Sequence, residues 1–191
     1  MATDLKGLSI AQYLDLELRT GQRHEYFRGE AFAMVGGSPG HSLIATNFSA
    51  EARQRLNPGP CVAYNSDLRI KVSSNGLYTY PDATIICGEL QLDSDIPDTV
   101  VNPTVLAEVL SDSTEHYDRG RKAMWYRSIP SLNALVLISQ DRPHVECFTR
   151  QTTGGWLLTE ATELTDMLVL KPLGISIPLA EIYRNVQFQT T

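Results

Sequence analysis

No stretch of apolar residues in this 191-residue chain approaches the ~20 that a bilayer-spanning helix requires, so no such helix is expected. Cysteine is scarce. Cys61, Cys87 and Cys147 lie far apart with no C-x-x-C pair, which argues against a disulfide framework and against a structural zinc site. Each sits in an apolar, strand-like stretch and reads as a buried core thiol. An excess of basic charge is missing too: 16 Lys and Arg stand against 22 Asp and Glu, a net charge of −6. Proteins that grip nucleic acid ordinarily present a basic face, so any such face here has to be local.

Several catalytic signatures are absent as well. His24, His41, His116 and His144 show no H-x-x-H or H-x₃-H spacing, which weighs against zinc. Ser38, Ser42 and Ser111 have no G-x-S-x-G setting, which removes the usual hydrolase elbow. The Gly36-Gly37-Ser38-Pro39-Gly40 cluster lacks the Lys-Ser/Thr of a phosphate loop and reads as a hinge or turn. Met1 to Lys6 lack the basic-then-apolar layout of a secretory leader, and no repeat, low-complexity tract or linker is visible. The expectation is one cytoplasmic domain.

What is present is globular: 42% hydrophobic and 20% charged residues. Residues 9–18 read as a helix with a Ser9/Gln12 capping box, and 24–34 as two short strands around Arg28-Gly29. Leu43, Ile44, Phe48, Ala52 and Leu56 predict a second helix over 41–56, closed by Asn57-Pro58-Gly59-Pro60. Strands are expected at 61–64, 67–72 and 77–87, with Pro81 marking a strand start, bulge or edge. An acidic loop, 88–102, follows. Segment 104–110 is a near-continuous apolar run, as in a strand covered on both faces. A helix over 113–128, weakened by Gly120, leads to a strand at 132–139. The tail holds a hairpin (145–150 with 156–160), a short strand near 167–170 and a short helix at 179–186. A mixed sheet flanked by helices, an α/β (α+β) arrangement, accounts for this order.

Three residues contradict their surroundings. Glu108 lies among Leu106, Ala107, Val109 and Leu110, where an isolated carboxylate costs several kcal/mol, roughly, unless paired, neutralised or bound to a cation. Asp82 heads the apolar strand ATIIC. If the two strands pair antiparallel, both carboxylates reach one rim of the sheet, and with a backbone carbonyl and water they suit Mg²⁺. Lys122 shares a helix face with Asp118, Trp125, Tyr126 and Ile129, an apolar face that draws the ammonium inward, where it can stabilise a phosphorane-like transition state. The competing readings are structural: a core salt bridge for Glu108, a strand-end cap for Asp82, and an i, i+4 bridge to Asp118 for Lys122.

The run Tyr80-Pro81-Asp82, then Asn102 through Ser111, then Asp118-Arg119-Gly120-Arg121-Lys122 and Tyr126 resembles the Uma-type endonuclease family. That bacterial family is a branch of the PD-(D/E)XK restriction-endonuclease-like superfamily. The likeness extends to His24-Glu25-Tyr26, Gly29-Glu30, Gly40-His41, Asp67-Leu68-Arg69, the Pro143-His144-Val145-Glu146 hairpin and Leu179 to Tyr183. It implies an αβββαβ core, with an N-terminal helix and hairpin (about 1–38), a core (about 40–140) and a β-rich C-terminal extension (about 145–187). It also implies Asp82, Glu108 and the Val109 carbonyl as ligands of Mg²⁺ or Mn²⁺. Where the superfamily pattern places a lysine, two positions after the acid, this chain has Leu110; in this branch the lysine has moved to the next helix, at Lys122. His41, at the start of the first core helix, is a candidate water-orienting group or proton acceptor, or simply a residue beside the helix cap. Glu30 either reaches the metal shell or pairs with Arg28 or Arg69.

Arg119, Arg121 and Arg127, with Arg53 and Arg55, are candidate phosphate contacts, the alternative being a solvated helix face. Trp125 and Tyr126 read as core in preference to base-stacking platforms. The functional expectation is a Mg²⁺-dependent nuclease acting on DNA, homodimeric by analogy with enzymes that cut both strands. The alternatives are a catalytically inactive nucleic-acid-binding or assembly protein of the same fold, and a hydrolase of a smaller phosphoester.

Overall fold

The computed structural model describes residues 5–111 and 114–188. Helix α1 (Ile10–Thr20) opens on the expected capping box: Ser9 Oγ accepts the Gln12 amide and Gln12 Oε1 accepts the Ser9 amide. It ends at Gly21, whose φ of 65° closes the last turn. Strands β1 (His24–Phe27) and β2 (Glu30–Ala33) form the expected hairpin. Helix α2 (Pro39–Leu56) begins two residues before the predicted start. Ser38 Oγ caps the His41 amide and Pro39 occupies the first turn, so part of the glycine-rich breaker is a helix start.

Strands β3 (Cys61–Asn65), β4 (Arg69–Val72), β5 (Leu77–Thr79), β6 (Ala83–Cys87), β7 (Thr99–Val100) and β8 (Val105–Leu110) follow. The stretch over 77–87, where Pro81 was expected to mark a strand start, bulge or edge, is two strands in different sheets: β5 pairs with β1 and β4, and β6 with β3 and β8. Pro81, which has no amide to donate, sits at the crossing. The expected helix over 113–128 is a short α3 (Glu115–Tyr117), a π-helical turn (Asp118–Lys122) and α4 (Ala123–Arg127); its predicted first residue, Ser113, lies outside the described residues. Then come β9 (Ala134–Ser139), β10 (Val145–Arg150), β11 (Trp156–Ala161), β12 (Met167–Leu170), β13 (Ile175–Pro178) and α5 (Leu179–Ile182). Strands β7 and β13 were not foreseen.

A six-stranded sheet runs β11-β10-β9-β8-β6-β3, with β8 and β9 parallel and the other neighbours antiparallel. Within it the order α2-β3-β6-β8-α4-β9 is the αβββαβ core. A second sheet, β2-β1-β5-β4-β7, adjoins it, and β12 pairs with β13. Alternation along β8 explains the layering. Val105, Ala107 and Val109 join Ile44, Phe48, Ala52 and Leu56 of α2 in one apolar cluster. Leu106 and Leu110 join Ala123 and Tyr126 of α4 in another. Glu108 lies on that second face.

One sequence expectation is overturned. Cys61 and Cys87 are register partners on β3 and β6 and form a disulfide. Their spacing in sequence gave no sign of this, because only the antiparallel register brings them together. Cys147 is buried and free, as expected.

A buried carboxylate and lysine cluster

Strand register sets the centre of the site. Ala83 pairs with Ala107 across β6 and β8, so Asp82 stands opposite Glu108. Beyond the last paired residues, Asp82 Oδ2 takes over the ladder and accepts the Val109 amide at 2.8 Å. Glu108 is 5% exposed. Its Oε1 accepts the Tyr126 hydroxyl at 2.6 Å and lies 2.9 Å from Lys122 Nζ. The lysine therefore points inward, and it also meets Asp118 Oδ1 at 3.5 Å and Glu25 Oε2 at 3.7 Å.

Glu25, from the middle of β1, was not singled out by sequence reasoning. It accepts hydrogen bonds from Thr79 at 2.9 Å and from the Tyr117 hydroxyl. The second sheet thus supplies one wall of the site. The only sequence signal was its place in the His24-Glu25-Tyr26 motif, since a glutamate in a short polar and aromatic strand breaks no pattern.

His41 lies against the other carboxylate, with Nε2 3.2 Å from Asp82 Oδ2. The hydrogen bond to Asp82 raises its pKa above the ordinary value against the opposing effect of burial, with help from Glu108 and the Val109 carbonyl. Two oxygens expected to ligate a metal therefore converge on this imidazole. Gly37 makes room for it: a Cβ there would fall 2.4 Å from His41 Nδ1.

The remaining candidates are placed differently. Glu30 lines the same cleft but pairs with Lys6 at 3.4 Å, not with Arg28 or Arg69. Arg69 pairs with Glu17. Arg119 is tied to Glu115 at 2.6 Å and to Glu146, whereas Arg121 is exposed on the cleft. Tyr126 is core, as expected, but Trp125 is only half-buried and faces the cleft.

Charge accounting shows what the site can hold. Glu25, Asp82, Glu108 and Asp118 face Lys122 and, when protonated, His41. Burial pushes the Glu108 carboxyl up to about 8: it outweighs the pull of Lys122, and Asp82 and Asp118 add repulsion. Burial works against the Lys122 ammonium as well, but Glu108, Tyr126, Glu25 and Asp118 outweigh it and hold its pKa well above the ordinary lysine value. An acid excess over fixed cations, with hard oxygen donors on facing strands, fits a divalent cation. These donors line a cleft of about 940 Å³.

A different group, His144, Glu146 and Glu160, has ligand-type atoms all within 4.8 Å of one another. It arises because Glu146 and Glu160 are opposite neighbours on β10 and β11, a repulsive placement. Arg119 balances the first, and His144 Nε2 meets the second at 2.9 Å.

Comparison with known proteins agrees with this architecture. Residues 10–180 match the family model Uma2, described as "Putative restriction endonuclease". The chain is 36% identical over 181 residues to "Uncharacterized protein slr1290" of Synechocystis, covering 95% of this chain and 94% of that one. It is 32% identical over 155 residues to "Uncharacterized protein sll1609" of the same organism, covering 81% and 88%. A crystal structure from Anabaena variabilis, titled as "a putative nuclease belonging to DUF820", superposes with a TM-score of 0.69. It covers 90% of this chain and 97% of that one, at 15% identity, and shows that the fold is shared.

Proposed function

The chain belongs to the Uma2 family, "Putative restriction endonuclease", and from that premise we propose that it is a divalent-metal-dependent nuclease hydrolysing phosphodiester bonds in DNA. One observation carries the reading: Asp82 and Glu108 stand opposite each other on paired strands, with a buried ammonium 2.9 Å from Glu108.

Asp82, Glu108 and the Val109 carbonyl would hold Mg²⁺ or Mn²⁺. When bound, such an ion polarises a phosphoryl oxygen and makes an attacking water more acidic. Lys122 holds Glu108 in place and adds positive charge where the pentavalent transition state accumulates negative charge. Tyr126 fixes the same Glu108 oxygen through its hydroxyl. His41 donates its Nε2–H to Asp82, which leaves Nδ1 as the ring nitrogen able to take up a proton. The expected working form is a homodimer in the cytoplasm.

Nicking of supercoiled plasmid tests this. The wild-type chain should nick with Mg²⁺ or Mn²⁺ and not with EDTA, and Asp82→Ala and Glu108→Ala should each abolish nicking. Full cleavage by both variants would remove the site. A wild-type protein that binds nucleic acid but never cleaves it would leave the inactive binding or assembly protein as the better reading.

A further inference from the structure

Six of the twelve arginines in this acidic chain are committed to protein carboxylates. Arg19, Arg23, Arg55, Arg69, Arg119 and Arg184 each form an ion pair. Arg28 and Arg121 are different: both are exposed, both line the cleft that holds the carboxylate cluster, and neither is ion-paired among the described residues. Their nearest aromatic neighbours line the cleft too. Arg28 lies over the Phe27 ring at 5.1 Å and Arg121 over the Trp125 ring at 5.9 Å.

Those two rings line one wall of the cleft and stack on each other, so a base can extend the stack at one end but cannot lie on both rings. Phe27 ends β1 and Trp125 stands on α4, with ring centroids 4.3 Å apart and planes inclined by 31°. The wall is coupled to the cluster by chain geometry. Phe27 lies two residues after Glu25, on the same face of β1, and Arg121 and Trp125 are four apart, flanking Lys122. Arg28 has a φ of 49° in the turn joining β1 and β2, an uncommon conformation for a side chain of this size. It sits where asparagine or glycine would ordinarily make the turn.

We infer that this wall binds an unpaired nucleotide, its base stacked on Trp125, which Phe27 backs, and its flanking phosphates held by Arg28 and Arg121, so that the substrate is single-stranded DNA or DNA with an unpaired segment. This rests on the nuclease reading and names its substrate class. Base faces stack on aromatic rings only when they are not already stacked within a duplex. Two unpaired guanidinium groups supply local positive charge to a chain whose total is negative. They also offset the repulsion between a phosphate strand and the acid cluster behind them.

Trp125 and Trp156 are the two tryptophans, so a Trp156→Phe protein reports on Trp125 alone. Its fluorescence should be quenched by a short mixed-sequence single-stranded oligonucleotide, with Ca²⁺ replacing Mg²⁺ so that the strand survives. A blunt duplex of that sequence should bind at least about tenfold more weakly. Arg28→Asn, which suits the positive φ, combined with Arg121→Gln should weaken single-strand binding about tenfold or more while the circular dichroism spectrum is unchanged. Phe27→Leu should reduce both affinity and quenching.

Duplex binding as tight as single-strand binding, or single-strand binding without quenching, overturns the inference. Plasmid nicking that depends on Asp82 but ignores all of these substitutions also overturns it and leaves the nuclease reading standing. Quenched single-strand binding with no cleavage under any metal does the reverse, upholding the platform and removing the nuclease reading. A single-stranded RNA arm assigns the sugar.

Discussion

Replacing Glu108 with glutamine should make the metal-free protein more stable above neutral pH while destroying its activity. Burial holds the Glu108 carboxyl at about 8, against an ordinary 4.5. Over that span the unfolded chain has released a proton that the folded chain retains, so stability falls as pH rises from about 4.5 to about 8. The difference between the two values bounds the cost of ionising Glu108 in place at roughly 5 kcal/mol. Glutamine removes that cost and keeps an oxygen to accept from Tyr126 and Lys122, and the pull of Lys122 is already contained in the value of about 8. The variant should therefore gain up to about 5 kcal/mol, or about 10–20 °C in Tm for a chain of this size. Thermal melts of Glu108→Gln and wild type in EDTA should therefore coincide near pH 5 and separate by this amount at pH 8.5, the variant higher. Added Mg²⁺ should raise the wild-type Tm and leave the variant unmoved. A variant less stable than wild type at pH 8.5 would show that the glutamate is a structural salt bridge, and the case for a cation-demanding site would collapse.

Lys122→Met leaves Glu25, Glu108 and Asp118 buried without their shared cation, and should lower stability by about 3–5 kcal/mol, with Mn²⁺ recovering part of the loss in a melt. Metal affinity measured by calorimetry should weaken as pH falls from about 8 to 6, because Glu108 and His41 both take up protons there and compete for the same oxygens; equal affinities at the two ends would refute the overlap. Gly37→Ala should push the His41 ring away from Asp82 and shift the pH–activity profile while folding is retained, a result read from initial rates across pH. Unfolded without reductant, the protein should expose one titratable thiol, Cys147; three would disprove the Cys61–Cys87 bridge.

Residues that violated their local pattern were the legible ones. A glutamate inside TVLAEVL, an aspartate heading ATIIC and a lysine on an apolar helix face each conflict with their neighbours, and such conflicts accumulate at functional sites. The helices and most strands were visible for the same kind of reason, a period of 3.6 or 2 bounded by glycine, proline and capping residues. What stayed hidden depends on register or on a change of sheet. Residues 77–87 form one strand-like run in sequence, yet the chain leaves one sheet and enters another between Thr79 and Ala83. Cys61 and Cys87 meet because β3 and β6 align them. Glu25 enters the cluster because a second sheet delivers it, and Arg119 looked like a solvated charge until β10 brought Glu146 beside it.

Burial of Lys122 beside Glu108 goes with an irregular helix above the sheet. Position 110 is on the same face of β8 as Glu108, so a lysine there would reach the carboxylate from its own strand; here Leu110 packs with Leu106, Ala123 and Tyr126 beneath α4. That apolar contact seals the helix onto the sheet, and an ammonium at 110 would forfeit it. The cation must then come down from the helix, and it must bring Asp118 with it without carrying the preceding turn into the core. The turn over Asp118–Lys122 is π-helical; Asp118 and Lys122, four apart on one face, are both buried, while Gly120 and Arg121 between them are exposed. One α-helical turn later, Tyr126 reaches the same Glu108 oxygen as Lys122. Such turns concentrate at functional sites, and Gly120 within it is the residue least opposed to an irregular backbone. In this chain the contact between buried acid and ammonium is therefore made from the helix, and position 110 is given over to packing.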